Sequence, residues 1–202
     1  MKKSFLLAIT LVLFTLKGIA QDDSNTNTST EPKFGIKAGY SSLTLRVSLD
    51  GTSASENVSG FYVGFFSEFG ISDKFGIQPE LHYASYSEDG ENSDVLILPV
   101  LAEYKVNEKF HLQAGPQFDY ILNEEDAIGL NRLGIGVALG ASYDITENII
   151  LDTRYSFALS NRINDDELIL NGLGAGEFDT VIGDFDVKAR FNYFQIGLGY
   201  RF

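Results

Sequence analysis

Residues 110–120 read Phe110-His111-Leu112-Gln113-Ala114-Gly115-Pro116-Gln117-Phe118-Asp119-Tyr120, and residues 194–202 read Phe194-Gln195-Ile196-Gly197-Leu198-Gly199-Tyr200-Arg201-Phe202. In both stretches the even positions are apolar, while the odd positions carry His, Gln, Gly, Asp and Arg. A period of two belongs to a β-strand, whose successive side chains leave opposite faces. What decides the class of fold is that the second face is both polar and small. A soluble eight-stranded barrel packs apolar groups inside. A membrane barrel turns them to lipid and keeps small or polar groups inward. Eight strands enclose room only for side chains, so glycine belongs on the inner face.

The alternation recurs at Phe34 to Tyr40, Gly60 to Phe69, Phe75 to Tyr83, Leu96 to Val106, Leu133 to Tyr143 and Ile149 to Leu159. Short polar turns fall at Ser72-Asp73-Lys74, Asn107-Glu108-Lys109 and Thr146-Glu147-Asn148. Longer joints are expected at Asp50–Val58, Ser87–Asp94, Asn123–Asn131 and Asn161–Lys188. Short and long joints in alternation predict an all-β, eight-stranded antiparallel up-and-down transmembrane barrel with both termini at the short-turn end, in the periplasm. A hairpin within residues 161–188, with Leu168-Ile169-Leu170 and Val181-Ile182 as arms, would make ten strands. Two aromatic rows flank an aliphatic band, as two lipid–water interfaces favour. Phe69, Phe75, Tyr104, Phe110, Tyr143 and Phe202 form one; Tyr40, Phe61, Tyr83, Tyr120, Tyr155 and Phe194 form the other.

Charge sorts onto the same inner face. Lys37, Lys105, Arg132, Arg154 and Arg201 stand against Glu68, Glu80, Glu103, Asp119 and Asp152. Buried charges persist when paired and hydrogen-bonded, so these ten are expected to form lumenal ion pairs. Pro79, Pro99 and Pro116 lie inside strands of a barrel with no edge, so each must cost a ladder bond or occupy a bulge.

The whole chain has 202 residues, 28 acidic against 15 basic, a formal charge of −13 and no cysteine. This excludes a disulfide framework, a thiolate metal site and thiol catalysis, and it opposes nucleic-acid binding. Residues 1–20 carry Lys2-Lys3, an apolar run from Phe5 to Leu16 and small residues before Gln21, the pattern of a cleaved signal peptide. Its loss removes three lysines and deepens the charge to −16. Residues 21–32 read as a disordered periplasmic tail, and 33–202 as the barrel domain.

Gln78-Pro79-Glu80-Leu81, Ile97-Leu98-Pro99-Val100, Ala114-Gly115-Pro116-Gln117 and the opening Phe34-Gly35-Ile36-Lys37-Ala38-Gly39 resemble the small outer-membrane β-barrel family of Bacteroidota, called PorT-like or porin-family. The resemblance implies residence in the outer membrane, and PorT itself is associated with type IX secretion. The C-terminal segment looks like the β-signal read by the outer-membrane assembly machinery, with Gln195, Gly197, Tyr200 and Phe202 at its marked positions.

No chemistry emerges from the remaining motifs. Gly172-Leu173-Gly174-Ala175-Gly176 and Gly134-Ile135-Gly136 lack the following helix that a dinucleotide site needs. His82 and His111 face the lumen from strands three and five; a hydrolase would need a nucleophile such as Ser85 and a carboxylate such as Asp119 beside a histidine, yet those strands are not neighbours. The four long joints hold sixteen acids, opposed by Arg162 and Lys188. Asp165, Asp166, Glu167, Asp184 and Asp186 offer oxygen ligands that would suit Ca²⁺ or Mg²⁺, without EF-hand spacing; no other cofactor is expected. The expectation is a non-enzymatic outer-membrane protein, structural or recognitional through acidic surface loops and not a large diffusion pore. Membrane lipid, the assembly machinery and a surface or secretion protein are its expected partners. An accessory role in secretion or assembly is the alternative, and a lumen-active hydrolase the third.

Overall fold

A computed structural model of the chain describes residues 31–49, 52–88, 91–123, 130–163 and 187–202. The strands are β1 (Lys33–Leu49), β2 (Thr52–Gly70), β3 (Phe75–Glu88), β4 (Glu91–Lys105), β5 (Phe110–Ile121), β6 (Leu133–Asp144), β7 (Ile149–Ala158) and β8 (Val187–Arg201). They pair antiparallel in chain order and close, β8 onto β1. Because β8 also pairs directly with β7, the barrel has eight strands and not ten. Partners can be followed from Lys37 through Gly64, His82, Ile97, Asp119 and Gly134. Carrying the constant registers on through β7 and β8 returns to β1 at Val47, a stagger of ten residues. Such a stagger goes with strands tilted by about 40°.

The three short turns share one construction. Each places a β-branched residue, Ile71, Val106 or Ile145, whose N–H bonds to the carbonyl four residues on at 2.9–3.0 Å. The next residue caps the turn from its side chain. Ser72 Oγ accepts from Phe75 N at 3.1 Å, Asn107 Oδ1 from Lys109 N and Phe110 N at 2.9 Å, and Thr146 Oγ1 from Ile149 N at 3.0 Å. Ser, Asn and Thr suit this position because a short side-chain oxygen reaches nearby backbone donors.

The outer wall is apolar. Phe61, Phe65, Leu198 and Phe202 are more than half exposed, while Lys37, Glu80, Asp152 and Arg154 are buried inside. That inversion of the soluble pattern is what lipid requires.

The polarity does not stay constant along the strands. On β1 the apolar positions are Phe34, Ile36, Ala38 and Tyr40, then Leu43, Leu45 and Val47, a shift from even to odd. A bulge would shift the parity, but the register to β2 runs unbroken from Lys33↔Glu68 to Leu49↔Thr52. The surroundings change instead. Beyond Tyr40 the outward positions are polar and bonded to one another, Tyr40–Ser59 at 2.8 Å, Thr44–Asn57 at 2.6 Å and Ser48–Ser53 at 3.0 Å. The inward positions pack as an apolar cluster of Leu43, Tyr62, Ala84, Tyr86, Val95, Ile97, Ile121, Phe191 and Tyr193. Below this level the barrel is built for lipid; above it, for water.

Two expected loops are therefore corrected. Asp50–Val58 is mostly strand, since β2 begins at Thr52. Ser87–Asp94 is mostly strand too, with Glu88 paired to Glu91. Their polar sequence suggests loops, but a strand standing in water is polar on its outer face.

Each proline opens one ladder without a bulge. The β2–β3 partners skip from Phe66↔Glu80 to Phe69↔Ile77 around Pro79. The β3–β4 partners skip from Pro79↔Val100 to His82↔Ile97 beside Pro99, and the β4–β5 partners from Pro99↔Gln117 to Ala102↔Ala114 beside Pro116. Registers are equal on both sides of every gap, so the cost is missing ladder bonds and not an inserted residue.

Candidate functional site

The lumen is organised in tiers. At its centre Glu80, from β3, takes Arg154 Nη1 at 2.7 Å and Lys37 Nζ at 2.9 Å. Asp152 lies 3.2 Å from the same Lys37 Nζ and 3.3 Å from Arg154 Nη2. Strand alternation makes this possible, because Lys37, Glu80, Asp152 and Arg154 all occupy inward positions on β1, β3 and β7. Gln78 donates to Glu80 at 2.6 Å and so joins the cluster to Gln113. Gly64 stands at this level because a Cβ there would meet the His82 ring at 2.4 Å.

Towards the short turns, Arg201 bonds Glu68 at 2.8 Å and Asp144 at 3.4 Å, and His111 Nδ1 lies 2.9 Å from Glu103 Oε1. These groups line a cavity of about 490 Å³ open at the short-turn end. Towards the other end Asp119 is held by Arg162 and by the Tyr193 hydroxyl at 2.8 Å. Arg162 also stacks over Phe191, its guanidinium carbon 4.9 Å from the ring centre, and bonds the Asn131 carbonyl at 2.8 Å.

Of the ten residues expected in lumenal ion pairs, Lys37, Glu68, Glu80, Glu103, Asp119, Asp152, Arg154 and Arg201 are placed in these clusters. Lys105 is not: it is exposed at the end of β4, beside the cavity mouth. Arg132 is half-buried just before β6 at the long-joint end, where it bonds the Ile121 carbonyl at 2.9 Å and lies 4.8 Å over the Tyr120 ring. The partner of Asp119 is instead Arg162, a residue expected among the loop charges. It follows β7 by four residues and looks like loop, yet its side chain is 1% exposed. The available signal was Gly134: Arg162 packs into the space where a Cβ would lie.

That packing gives a prediction. Gly134→Ala should destabilise the barrel by about 1–3 kcal/mol through overpacking, and the cost should shrink in an Arg162→Ala background, since the two share one space. Urea unfolding of the four proteins in detergent measures the coupling.

Ser85 and Asp119, the partners weighed from the sequence, are not brought to either histidine among the described residues. His82 Nε2 lies 2.7 Å from Glu80 Oε2, off the axis of a linear hydrogen bond, and Ser85 pairs across to Phe61 and Asp94. His111 lies one strand beyond β4, opposite Lys105 and Ser142. Among the described residues no three His, Cys, Asp or Glu side chains are grouped to hold a metal ion. Asp165, Asp166, Glu167, Asp184 and Asp186 lie outside the described residues, as do the expected signal peptide, residues 1–20, and the expected hairpin arms at 168–170 and 181–182. Of the terminal signal positions, Gln195 and Gly197 point inward, and Tyr200 and Phe202 stand on the outer wall; Phe202 N bonds Phe34 O at 2.9 Å.

A closed eight-stranded barrel with this outside-in polarity has a counterpart among known families. The profile described as Outer membrane protein beta-barrel domain matches residues 19–164, well over half of the chain. The chain belongs to this family. Outer membrane protein PagN of Salmonella typhimurium (strain LT2) is 31% identical over 81 residues, a match covering 40% of this chain and 32% of PagN. Among solved structures, Ail, the attachment invasion locus protein of Yersinia pestis, is 17% identical with a TM-score of 0.44, covering 85% of this chain and 99% of Ail. Neisserial surface protein A is 16% identical with a TM-score of 0.44, covering 83% and 95%. As a member of the outer-membrane barrel family, the chain carries its apolar wall against the lipid of that membrane.

Proposed function

We propose that this chain is a closed outer-membrane anchor that raises a rigid polar collar and acidic loops above the cell surface for recognition, with neither transport nor catalysis through its lumen. The observation that carries the reading is the filled interior. Arg154, Tyr62, Tyr86, Tyr193, Ile97 and Leu101 are each 2% exposed or less, so ionic and apolar tiers together occupy the lumen. Orientation follows from joint length, since outer-membrane barrels place tight turns in the periplasm and longer connections outside. The four-residue turns at 71–74, 106–109 and 145–148 are then periplasmic. Assembly machinery that reads the C-terminal segment, and surface proteins that meet the loops, are the partners of this reading. The finer PorT-like placement and its secretion role rest on the proline motifs and the opening Phe34–Gly39 segment alone.

Two measurements test it. In planar bilayers the refolded protein should add no unitary conductance above background; steady channels would contradict a filled lumen. A photo-crosslinking residue at Ser53, on the β1–β2 tip, should capture surface partners in intact cells, while one at Asn107 in a short turn should not. Partners captured at Asn107 alone would transfer the function to the periplasmic side and favour the accessory role.

A further inference from the structure

The long-strand half of the barrel holds five cations, and they are not spread evenly. Arg162 is committed to the lumen and Arg132 to the β5–β6 side. The other three, Arg46, Arg190 and Lys188, fall on one strip of the β1–β8 wall, where Arg46 pairs directly opposite Arg190 and Ser48 opposite Lys188. Even positions on both strands face outward, so all three project from the barrel's exterior. Arg46 and Arg190 are exposed and make no ion pair among the described residues. Like charges directly opposite each other across a ladder are unfavourable. In a chain of net charge −13, with sixteen acids within residues 50–58, 87–94, 123–131 and 161–188, this outward strip carries no described acid.

The strip stands above the lipid-facing wall. Descending from Arg46↔Arg190, the next outward rungs are Thr44↔Asn192 and Ser42↔Phe194, and below them the wall is apolar at Tyr40, Ile196 and Leu198. Arg46 is four residues from the Phe194 rung, about 13 Å along the strand and about 10 Å above the aromatic girdle at the usual tilt. Long basic side chains bend towards an interface from such a distance. Two arginines thus share one outward rung, with a threonine and an asparagine on the rung beneath.

We infer that Arg46 and Arg190 bind the phosphate of an anionic glycolipid headgroup in the leaflet bordering the long-strand end. Guanidinium groups bind phosphate in bidentate fashion, and a shared phosphate converts the repulsion across the rung into two attractions. Lipid is the source because the site is continuous with the lipid-facing wall and opens sideways over the bilayer, not into the lumen. The inference rests on the proposed orientation only in assigning the leaflet.

The test uses the refolded full-length barrel in zwitterionic detergent, with fluorescent lipid A, a bisphosphorylated diglucosamine lipid, as probe and binding read by polarisation. Arg46→Gln/Arg190→Gln should weaken binding roughly 30-fold, the loss expected for two cations at an anionic surface. Lys74→Gln/Lys109→Gln at the opposite end should leave it unchanged, and excess inorganic phosphate should displace little probe. Equal affinity in the Arg46/Arg190 variant, or equal loss in the Lys74/Lys109 variant, would overturn the site. Ready displacement by inorganic phosphate would overturn the lipid as its ligand. Heat-modifiable gel mobility shows that each variant is folded. Protease shaving of intact cells reports orientation separately, so a failed orientation and a failed site are told apart.

Discussion

Glu80→Ala is expected to cost about 3–5 kcal/mol of folding free energy, the usual penalty for removing one partner of a buried ion pair. Glu80 receives both Lys37 and Arg154, at 2.9 and 2.7 Å, and its removal leaves two cations sharing Asp152 at 3.2 and 3.3 Å. One carboxylate cannot neutralise two ammonium and guanidinium charges inside a closed lumen. Asp152→Asn should cost less, because Glu80 holds the shorter contact to each cation. Replacing Lys37, Glu80, Asp152 and Arg154 together with apolar residues of similar volume should recover much of the loss, since the desolvation penalty goes with the charges. Urea unfolding in detergent micelles, followed by circular dichroism, orders the variants. An unchanged midpoint for Glu80→Ala would mean that water reaches the cluster and screens it.

The second large effect concerns the outer wall. Leu198→Arg should cost about 2–4 kcal/mol in a lipid bilayer, the value for a cation near the midplane of a barrel's lipid face. Leu198 lies between the girdle residues Phe194 and Phe202, is 54% exposed, and is flanked by Ala38 and Leu151. Asn57→Arg, equally outward on β2, should cost about 1 kcal/mol or less, since it loses one exposed hydrogen bond to Thr44. Folding titrations into short-chain phosphatidylcholine vesicles compare the two. Similar costs would mean that the lipid boundary is drawn in the wrong place.

Much of this was legible in the residues. Period-two alternation with glycine and charge on one face identified the barrel class, and the polar trios at 72–74, 107–109 and 146–148 marked the turns. The collar was not legible, because Ser, Thr and Asn in 48–59 carry the same composition whether they form a loop or the watered face of a strand. The parity shift between Tyr40 and Leu43 was the available sign, and only an unbroken register distinguishes it from a bulge. Arg162 escaped for a related reason. Sequence position places it after a strand, whereas its destination is set by the space over Gly134 and the carboxylate of Asp119. The Arg46–Arg190 rung joins residues 144 positions apart, which no local pattern relates.

One continuous strand wall changes surroundings just beyond Tyr40, from lipid to water. The chain has no cysteine, so a single introduced cysteine is a unique label. Nitroxides placed in turn at Ile36, Ala38, Tyr40, Ser42, Thr44 and Arg46, in protein reconstituted into bilayers, report oxygen against aqueous nickel-chelate accessibility. Oxygen-dominated collisions are expected from Ile36 to Tyr40, with a crossover to the aqueous reagent by Thr44. Lipid-like accessibility continuing to Arg46, or aqueous accessibility at Ala38, would contradict that crossover.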